Sequence, residues 1–386
     1  MIDIQDKTLC CGCAACVQRC PKQCISMCED GEGFLYPKVD ASLCIGCGLC
    51  ERVCPVLNRF DKREPIKSYA AVNPDDTVRE QSASGGIFSS LAQKVIAEGG
   101  VVFGAMFDSG WMAVHGHTSS VKGLAAMRGS KYMQSRIGCS YIETERYLKS
   151  GRIVLFSGTP CQIAGLKRFL RKEYDNLLTV DVICHAVPSA KIWRLFLDEQ
   201  LDSVGKCKGD IRSLSFRDKS NGWKNYSLRI CFDDRSDIII PKDRNLFMRA
   251  FLSDLIVRPV CTACPARSLS GGSDVTIGDF WGIERTVPDM FDDKGVCALL
   301  CNTRKGVTLV DSLGIDKKEC GYSQVLQGNP ALVATAKDNK NRQMFYECLA
   351  KHENVSVSRL LRKYTRISFS RRCRSLLGKA YNWLIH

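Results

Sequence analysis

Two cysteine runs near the start of the chain constrain it more than any other feature: Cys10-x2-Cys13-x2-Cys16-x3-Cys20-Pro21 and Cys44-x2-Cys47-x2-Cys50-x3-Cys54-Pro55. Three thiolates spaced this closely converge on one cube from a single tight turn. In tandem runs of this kind the fourth cysteine of each ligates the other cluster. The spacing therefore assigns Cys10, Cys13, Cys16 and Cys54 to one [4Fe–4S] cluster, and Cys44, Cys47, Cys50 and Cys20 to a second. Gly12, Gly46 and Gly48 relieve crowding inside the loops, and Pro21 and Pro55 end them. Zinc is the competing reading, disfavoured because zinc sites use paired CxxC units rather than CxxCxxC. Cys11, Cys24 and Cys28 are left over and read as packing thiols. Such clusters carry electrons singly, so the rest of the chain must say where the electrons go.

The chain has 23 cysteines in 386 residues, a length that suits two or three domains. Its size and ligand-like spacing point to a reducing cytoplasm rather than to a disulfide scaffold. Met1 to Asp6 has neither a basic nor an apolar stretch, so no secretory signal is expected. Apolar runs such as residues 151–157 are strand-sized, far short of a membrane span. The formal charge of +14 is lowered by the clusters. Each carries about −2 with its four thiolates when oxidised. No nucleic-acid partner is expected.

The fold class expected is a multidomain chain of α+β and α/β parts. Residues 1–58 read as a bacterial ferredoxin-like module with two clusters and a hairpin at 33–39, and 59–67 as a charged linker. Residues 68–350 read as a mixed α/β domain, divided into 68–150 and 151–350, and 351–386 as a basic helical tail. Strands at 69–72, 100–107, 151–156 and 177–183 alternate with helices at 86–98, 142–149, 160–170 and 192–201. A β-richer stretch follows at 211–216, 226–232 and 238–240, before a strand at 274–279. Helices are expected again at 343–351 and 356–385.

A second cysteine set is scattered. Cys161 follows Gly158-Thr159-Pro160 at a strand-to-helix turn, Cys184 ends a strand, and Cys261 and Cys264 form a CxxC before Pro265. Strand ends and loops are where ligands gather. The four fit a third cluster, a zinc site, or four unrelated buried thiols. Ser82-Ala83-Ser84-Gly85-Gly86, ahead of a helix, offers backbone N–H groups to an anion such as a flavin or nucleotide phosphate. The plainer alternative is an N-cap at Ser84. No Rossmann glycine fingerprint and no P-loop accompanies it.

Several stretches resemble the coenzyme F420 hydrogenase/dehydrogenase β-subunit family. They are Ser82 to Met106, Arg128-Gly129-Ser130-Lys131-Tyr132, Phe156-Ser157-Gly158-Thr159-Pro160-Cys161-Gln162 and Ile183-Cys184-His185. Phe216-Arg217-Asp218-Lys219 with Gly222-Trp223-Lys224, and Asp274 to Gly282, complete the set. The resemblance implies a flavoprotein that passes electrons between clusters and a substrate through FAD. It implies a third [4Fe–4S] cluster on Cys161, Cys184, Cys261 and Cys264. It makes Ser84, Gly85, Gly86, Ser130 and Lys131 flavin contacts, with Lys131 offsetting flavin or phosphate charge. Asp279 and Trp281 then border the pocket, Trp281 as a stacking ring or a core residue. His185 is the catalytic candidate for moving protons, against a plain structural hydrogen bond. Coenzyme F420 is the substrate of methanogen members, yet no motif here specifies a deazaflavin.

The expected function is that of an oxidoreductase taking electrons from a ferredoxin-like donor to FAD and on to a small two-electron acceptor. The alternative is a relay subunit of a larger redox or polysaccharide-modifying complex. Expected partners are electron-donor or acceptor proteins: a ferredoxin, or a hydrogenase or dehydrogenase subunit. Residues 355–386 hold eight Arg or Lys and no Asp or Glu. With Leu360, Leu361, Leu376, Leu377 and Trp383 they suggest an amphipathic helix for an anionic membrane or an acidic ferredoxin, or a plain solvated helix.

Overall fold

The computed structural model describes residues 1–351 and 355–365. In the N-terminal module, Ala14 and Gly48 take left-handed conformations and start the short helices Ala15–Arg19 and Leu49–Arg52, each set inside its cysteine run. Between them β1 (Ile25–Glu29) and β2 (Leu35–Val39) pair antiparallel. The Asp30 carboxylate closes their turn by accepting from the Glu32 and Phe34 amides. The expected hairpin is therefore β2 with a partner the sequence hid, because Ile25–Glu29 is short and buries only its first residue.

Eleven further strands follow: β3 (Lys67–Val72), β4 (Val101–Phe107), β5 (Ala113–Thr118), β6 (Val154–Gly158), β7 (Leu177–Val182), β8 (Ile211–Asp218), β9 (Ser227–Phe232), β10 (Asp237–Pro241), β11 (Val275–Asp279), β12 (Cys297–Cys301) and β13 (Asp316–Glu319). Eight of them form one mixed sheet in the order β13-β3-β12-β11-β7-β6-β4-β5. Its middle strands β4, β6, β7 and β11 run parallel. Strands β8, β9 and β10 form a separate antiparallel meander.

The middle strands are rich in apolar residues on both faces because both faces are covered. In β6, Leu155 packs with Ile87, Leu91 and Val95 of helix Ile87–Ala97 on one face. Its neighbour Phe156 packs with Ile163, Leu166 and Phe169 of helix Pro160–Leu170 on the other. That second core also contains Cys13 and Cys16, so the ferredoxin module and the α/β domain share one apolar interior. Strand β12, fully buried in the sheet, was not foreseen: Cys-Ala-Leu-Leu-Cys has no alternation to mark it.

Residues 59–67 lie against the body. Phe60 sits under the Arg168 guanidinium at 3.9 Å, and Arg63 donates to the Leu269 and Ser273 carbonyls. At the other end, helix Val357–Tyr364 buries Val357, Leu360 and Leu361, and the Glu199 carboxylate accepts from its first amides. The apolar face read for a membrane is thus used inside the fold along this helix. The remainder of the tail, with Arg366, Arg371, Arg372, Arg374, Lys379 and Trp383, lies outside the described residues. Among the described residues no helix is long and apolar enough to cross a membrane.

Candidate functional site

The eight ferredoxin-run cysteines gather into two groups. Cys10, Cys13, Cys16 and Cys54 line one cavity of about 20 Å³. Cys20, Cys44, Cys47 and Cys50 line another of about 20 Å³. The last cysteine of each run has crossed to the other group, as the spacing required. The groups differ in exposure: all four thiols of the first are buried, whereas Cys47 of the second is exposed and Cys20 and Cys44 are half-buried. Burial, reinforced by Cys10 and Cys54, pushes the Cys16 thiol up to about 12. Among the described residues no three His, Cys, Asp or Glu side chains are gathered for a single metal ion. A cubane is wider than an ion, so thiols that ligate one need not stand as close together as the ligands of a single ion.

The scattered cysteines also lie near enough to one another to interact electrostatically. Cys161 sits in the first turn of helix Pro160–Leu170, whose start is fixed by a capping box of Thr159 and Gln162. Cys184 stands just past β7. Cys261 belongs to the 3-10 segment Pro259–Ala263, and Cys264 follows it. An antiparallel bridge between Pro188 and Val257, with Arg258 N–H donating to the Val187 carbonyl, draws the last two loops together. Burial raises the Cys184, Cys261 and Cys264 thiols, Cys261 to about 12. Neighbouring thiols of the same set add to that rise, and Arg267 opposes it at all three.

The first and third groups touch. One helical turn beyond Cys161, a Cβ added at Gly165 would stand 2.8 Å from Cys13 Cβ and 3.0 Å from Cys13 Sγ. Cys11, which the sequence left as a packing thiol, is buried with its thiol in contact with both Cys13 and Cys161.

A cavity of about 640 Å³ opens beyond the carboxyl ends of β6, β7 and β11, and Cys184 is in its wall. This is where open α/β sheets hold ligands. Ser84, Gly86, Ser130, Lys131, His185, Asp279 and Trp281 all line it. Gly85 does not: its Cβ would meet the Ala71 carbonyl at 2.6 Å and Cys297 N at 2.8 Å, so it serves close packing of the loop on the sheet. Nor is Ser84 an N-cap. Its hydroxyl donates to the Val296 carbonyl, and Gly86, at φ +83, caps helix Ile87–Ala97 without a side chain.

Lys131 Nζ donates to the Ala126, Arg128 and Gly129 carbonyls, and burial pulls the ammonium down to about 7. His185 Nε2 lies 2.7 Å from Asp254 Oδ1, and its ring meets Phe251 edge-on, so the structural hydrogen bond is present at the pocket wall. Asp279 is engaged internally, by Arg217 at 3.1 Å and by Trp223 Nε1 at 2.8 Å. Trp281 stacks on Trp223 at 4.9 Å. Arg217, buried over the Tyr226 ring at 4.0 Å, keeps Nε without a hydrogen-bond partner. Arg217 and Trp223 lie in the stretch Phe216–Lys224, where nothing local marks either for the site. His115 was missed altogether. It is pinned between Ser135 and the Ser157 carbonyl, and burial pulls it down to about 4.

Residues 151–322 match the model of the C terminus of the coenzyme F420 hydrogenase/dehydrogenase beta subunit, and residues 37–57 match the 4Fe-4S binding domain. Over residues 151–322, somewhat under half of its length, the chain is therefore similar to the F420 hydrogenase/dehydrogenase β subunit, and it carries an iron–sulfur domain at its N-terminal end. It is an iron–sulfur electron-transfer protein related to that β subunit. A chain of the F420-reducing [NiFe] hydrogenase complex from Methanosarcina barkeri, solved after xenon derivatisation, is similar at 15% identity and a TM-score of 0.48. The likeness covers 76% of this chain and 95% of that one, and at this level says nothing of activity. No curated protein matches the chain.

Proposed function

We propose that the protein is an iron–sulfur flavoprotein oxidoreductase. Single electrons arrive at the exposed Cys20/Cys44/Cys47/Cys50 cluster, pass inward to the Cys10/Cys13/Cys16/Cys54 cluster and then to a third on Cys161, Cys184, Cys261 and Cys264. The single observation that carries this reading is the continuity of the three thiol groups: Gly165 and Cys11 join the first to the third, and Cys184 joins the third to the large cavity. FAD bound in that cavity would supply the change from one-electron to two-electron chemistry.

The cavity suits such a group in size, since cofactor pockets fall at about 300–1,000 Å³. The uncapped start of helix Ile87–Ala97, Ser130 and Lys131 would face its phosphates, and the free Arg217 Nε would donate to an oxygen on it. Asp254 holds the His185 ring at the wall, where His185 would hold or release a proton to the acceptor. Iron, sulfide and flavin analysis of anaerobically prepared protein tests the reading. About one flavin with three clusters is expected, and flavin-free protein that cannot be loaded with FAD refutes the oxidoreductase. Coenzyme F420 and other small acceptors are then separated by steady-state assay. If turnover appears only when a partner protein is added, the relay reading replaces this one.

Lys131 gives the site a pH signature. Its free-state value is about 7, depressed by burial, and a bound anion favours the charged form and lifts it again. Affinity for FAD is therefore greatest below about pH 7 and falls as pH rises through that value. Lys131→Gln should weaken binding roughly tenfold at pH 6 and flatten the profile. Flavin fluorescence titrations from pH 6 to 9 would show it, and an unchanged slope in the variant removes Lys131 from the site.

A further inference from the structure

Among the described residues four arginines are buried: Arg79, Arg217, Arg258 and Arg267. Arg79 pairs with Asp292 at 2.6 Å and Arg217 with Asp279 at 3.1 Å. Arg258 and Arg267 pair with no carboxylate among the described residues. Arg258 is fully buried, donating to the Cys10 and Leu35 carbonyls, to Gln134 Oε1 and, at 3.6 Å, to Cys10 Sγ. The carboxylates that flank its contacts, Asp30 and Glu32, are taken by Lys7 and Arg342. Arg267 donates to the Cys184, His185 and Ala331 carbonyls, and its Nε has no partner. An unpaired buried cation is costly to keep. Both stand against cysteine groups, one at the first and one at the third. Among the described residues the cations at the outer group are all solvent-facing: Arg52, bonded to the Cys47 carbonyl, Lys22, and the Met1 ammonium, which is paired with Glu51.

We propose that Arg258 and Arg267 are the buried counter-cations of the two inner clusters and raise their reduction potentials above that of the outer one. The proposal rests on the three-cluster reading above. A cluster with four thiolates is already anionic, at about −2, and reduction adds one more negative charge. Burial alone disfavours that added charge, so the two inner clusters would otherwise be harder to reduce than the exposed one. Electrons would then stall at the surface. A fixed positive charge a few ångströms away reverses the order and sets the direction of flow, from the exposed Cys47 side towards the cavity.

The test is an EPR-monitored redox titration of the full cluster-loaded chain as wild type, Arg258→Gln and Arg258→Lys. In the Gln variant one inner signal should lose at least about tenfold in its reduced-to-oxidised ratio at the wild-type midpoint, which is about 59 mV for a one-electron couple. The Lys variant, which keeps the charge, should stay within about threefold of wild type. A Gln variant with full iron and an unmoved midpoint overturns the proposal. If Gln loses one cluster's iron and Lys retains it, the counter-charge role stands; loss from both overturns it. Wild-type iron of about eight per chain or fewer would instead fail the three-cluster reading itself, whatever the arginines do.

Discussion

Replacing Cys261 and Cys264 together by Ser should remove about four irons per chain and uncouple the cavity from the ferredoxin module. The two N-terminal clusters should still form and still be reduced by dithionite, because none of their eight thiols is touched. Electron delivery to a flavin in the cavity should fall by orders of magnitude, since Cys184 in the cavity wall would no longer hold a cluster. Rapid-mixing absorbance, which separates cluster bleaching from flavin bleaching, measures both events at once. A double variant with wild-type iron would show that these thiols are not ligands. One that lost its iron yet reduced flavin at the wild-type rate would show that electrons take another route.

The second large effect concerns Gly165. Its added Cβ would come within 3.0 Å of three atoms: Cys13 Cβ, Cys13 Sγ and the Tyr141 hydroxyl oxygen. Helix Pro160–Leu170 and the ferredoxin loop are both packed on one core, so neither yields easily. Gly165→Val should cost about 1–3 kcal/mol by overpacking, and Gly165→Ala less. The Val variant should also lose iron from the first cluster faster on exposure to air, because Cys13 is the displaced atom group. Thermal unfolding and timed iron release check the two consequences separately. An unfolding midpoint and an iron-release rate both equal to wild type would mean that the modules are not pressed together here.

The ferredoxin runs were legible because eight thiols in a fixed local spacing leave little choice of geometry. Their crossing into two groups followed from the same spacing. The third group was legible only as residues at strand ends. Its assembly depends on the bridge between Pro188 and Val257, a contact between segments far apart in sequence. Alternating strands and helices from Lys67 to Asp202 were readable from apolar periodicity, apart from edge strand β5, whose Ala113–Thr118 has no apolar run to mark it. Strand β12 was not, since a fully buried strand without alternation resembles any short apolar run.

The Ser-Ala-Ser-Gly-Gly loop illustrates the harder case. Its sequence fits an anion site, yet Gly85 answers to the Ala71 carbonyl and Ser84 to the Val296 carbonyl. What the loop offers the cavity is the uncapped end of the next helix and Gly86 in its left-handed conformation. Arg258 and Arg267 were invisible for a related reason. Nothing local marks an arginine as buried without a carboxylate partner, and the carbonyls and thiols around both come together only in three dimensions.

The most direct measurement is the cofactor content of the intact chain prepared without air. Iron and sulfide at about twelve each per chain, with one flavin that reduced clusters bleach, is the expected result. Iron at about eight with no flavin bound even after incubation with FAD would contradict the continuous path from Cys47 to the cavity, and would leave a two-cluster carrier in its place.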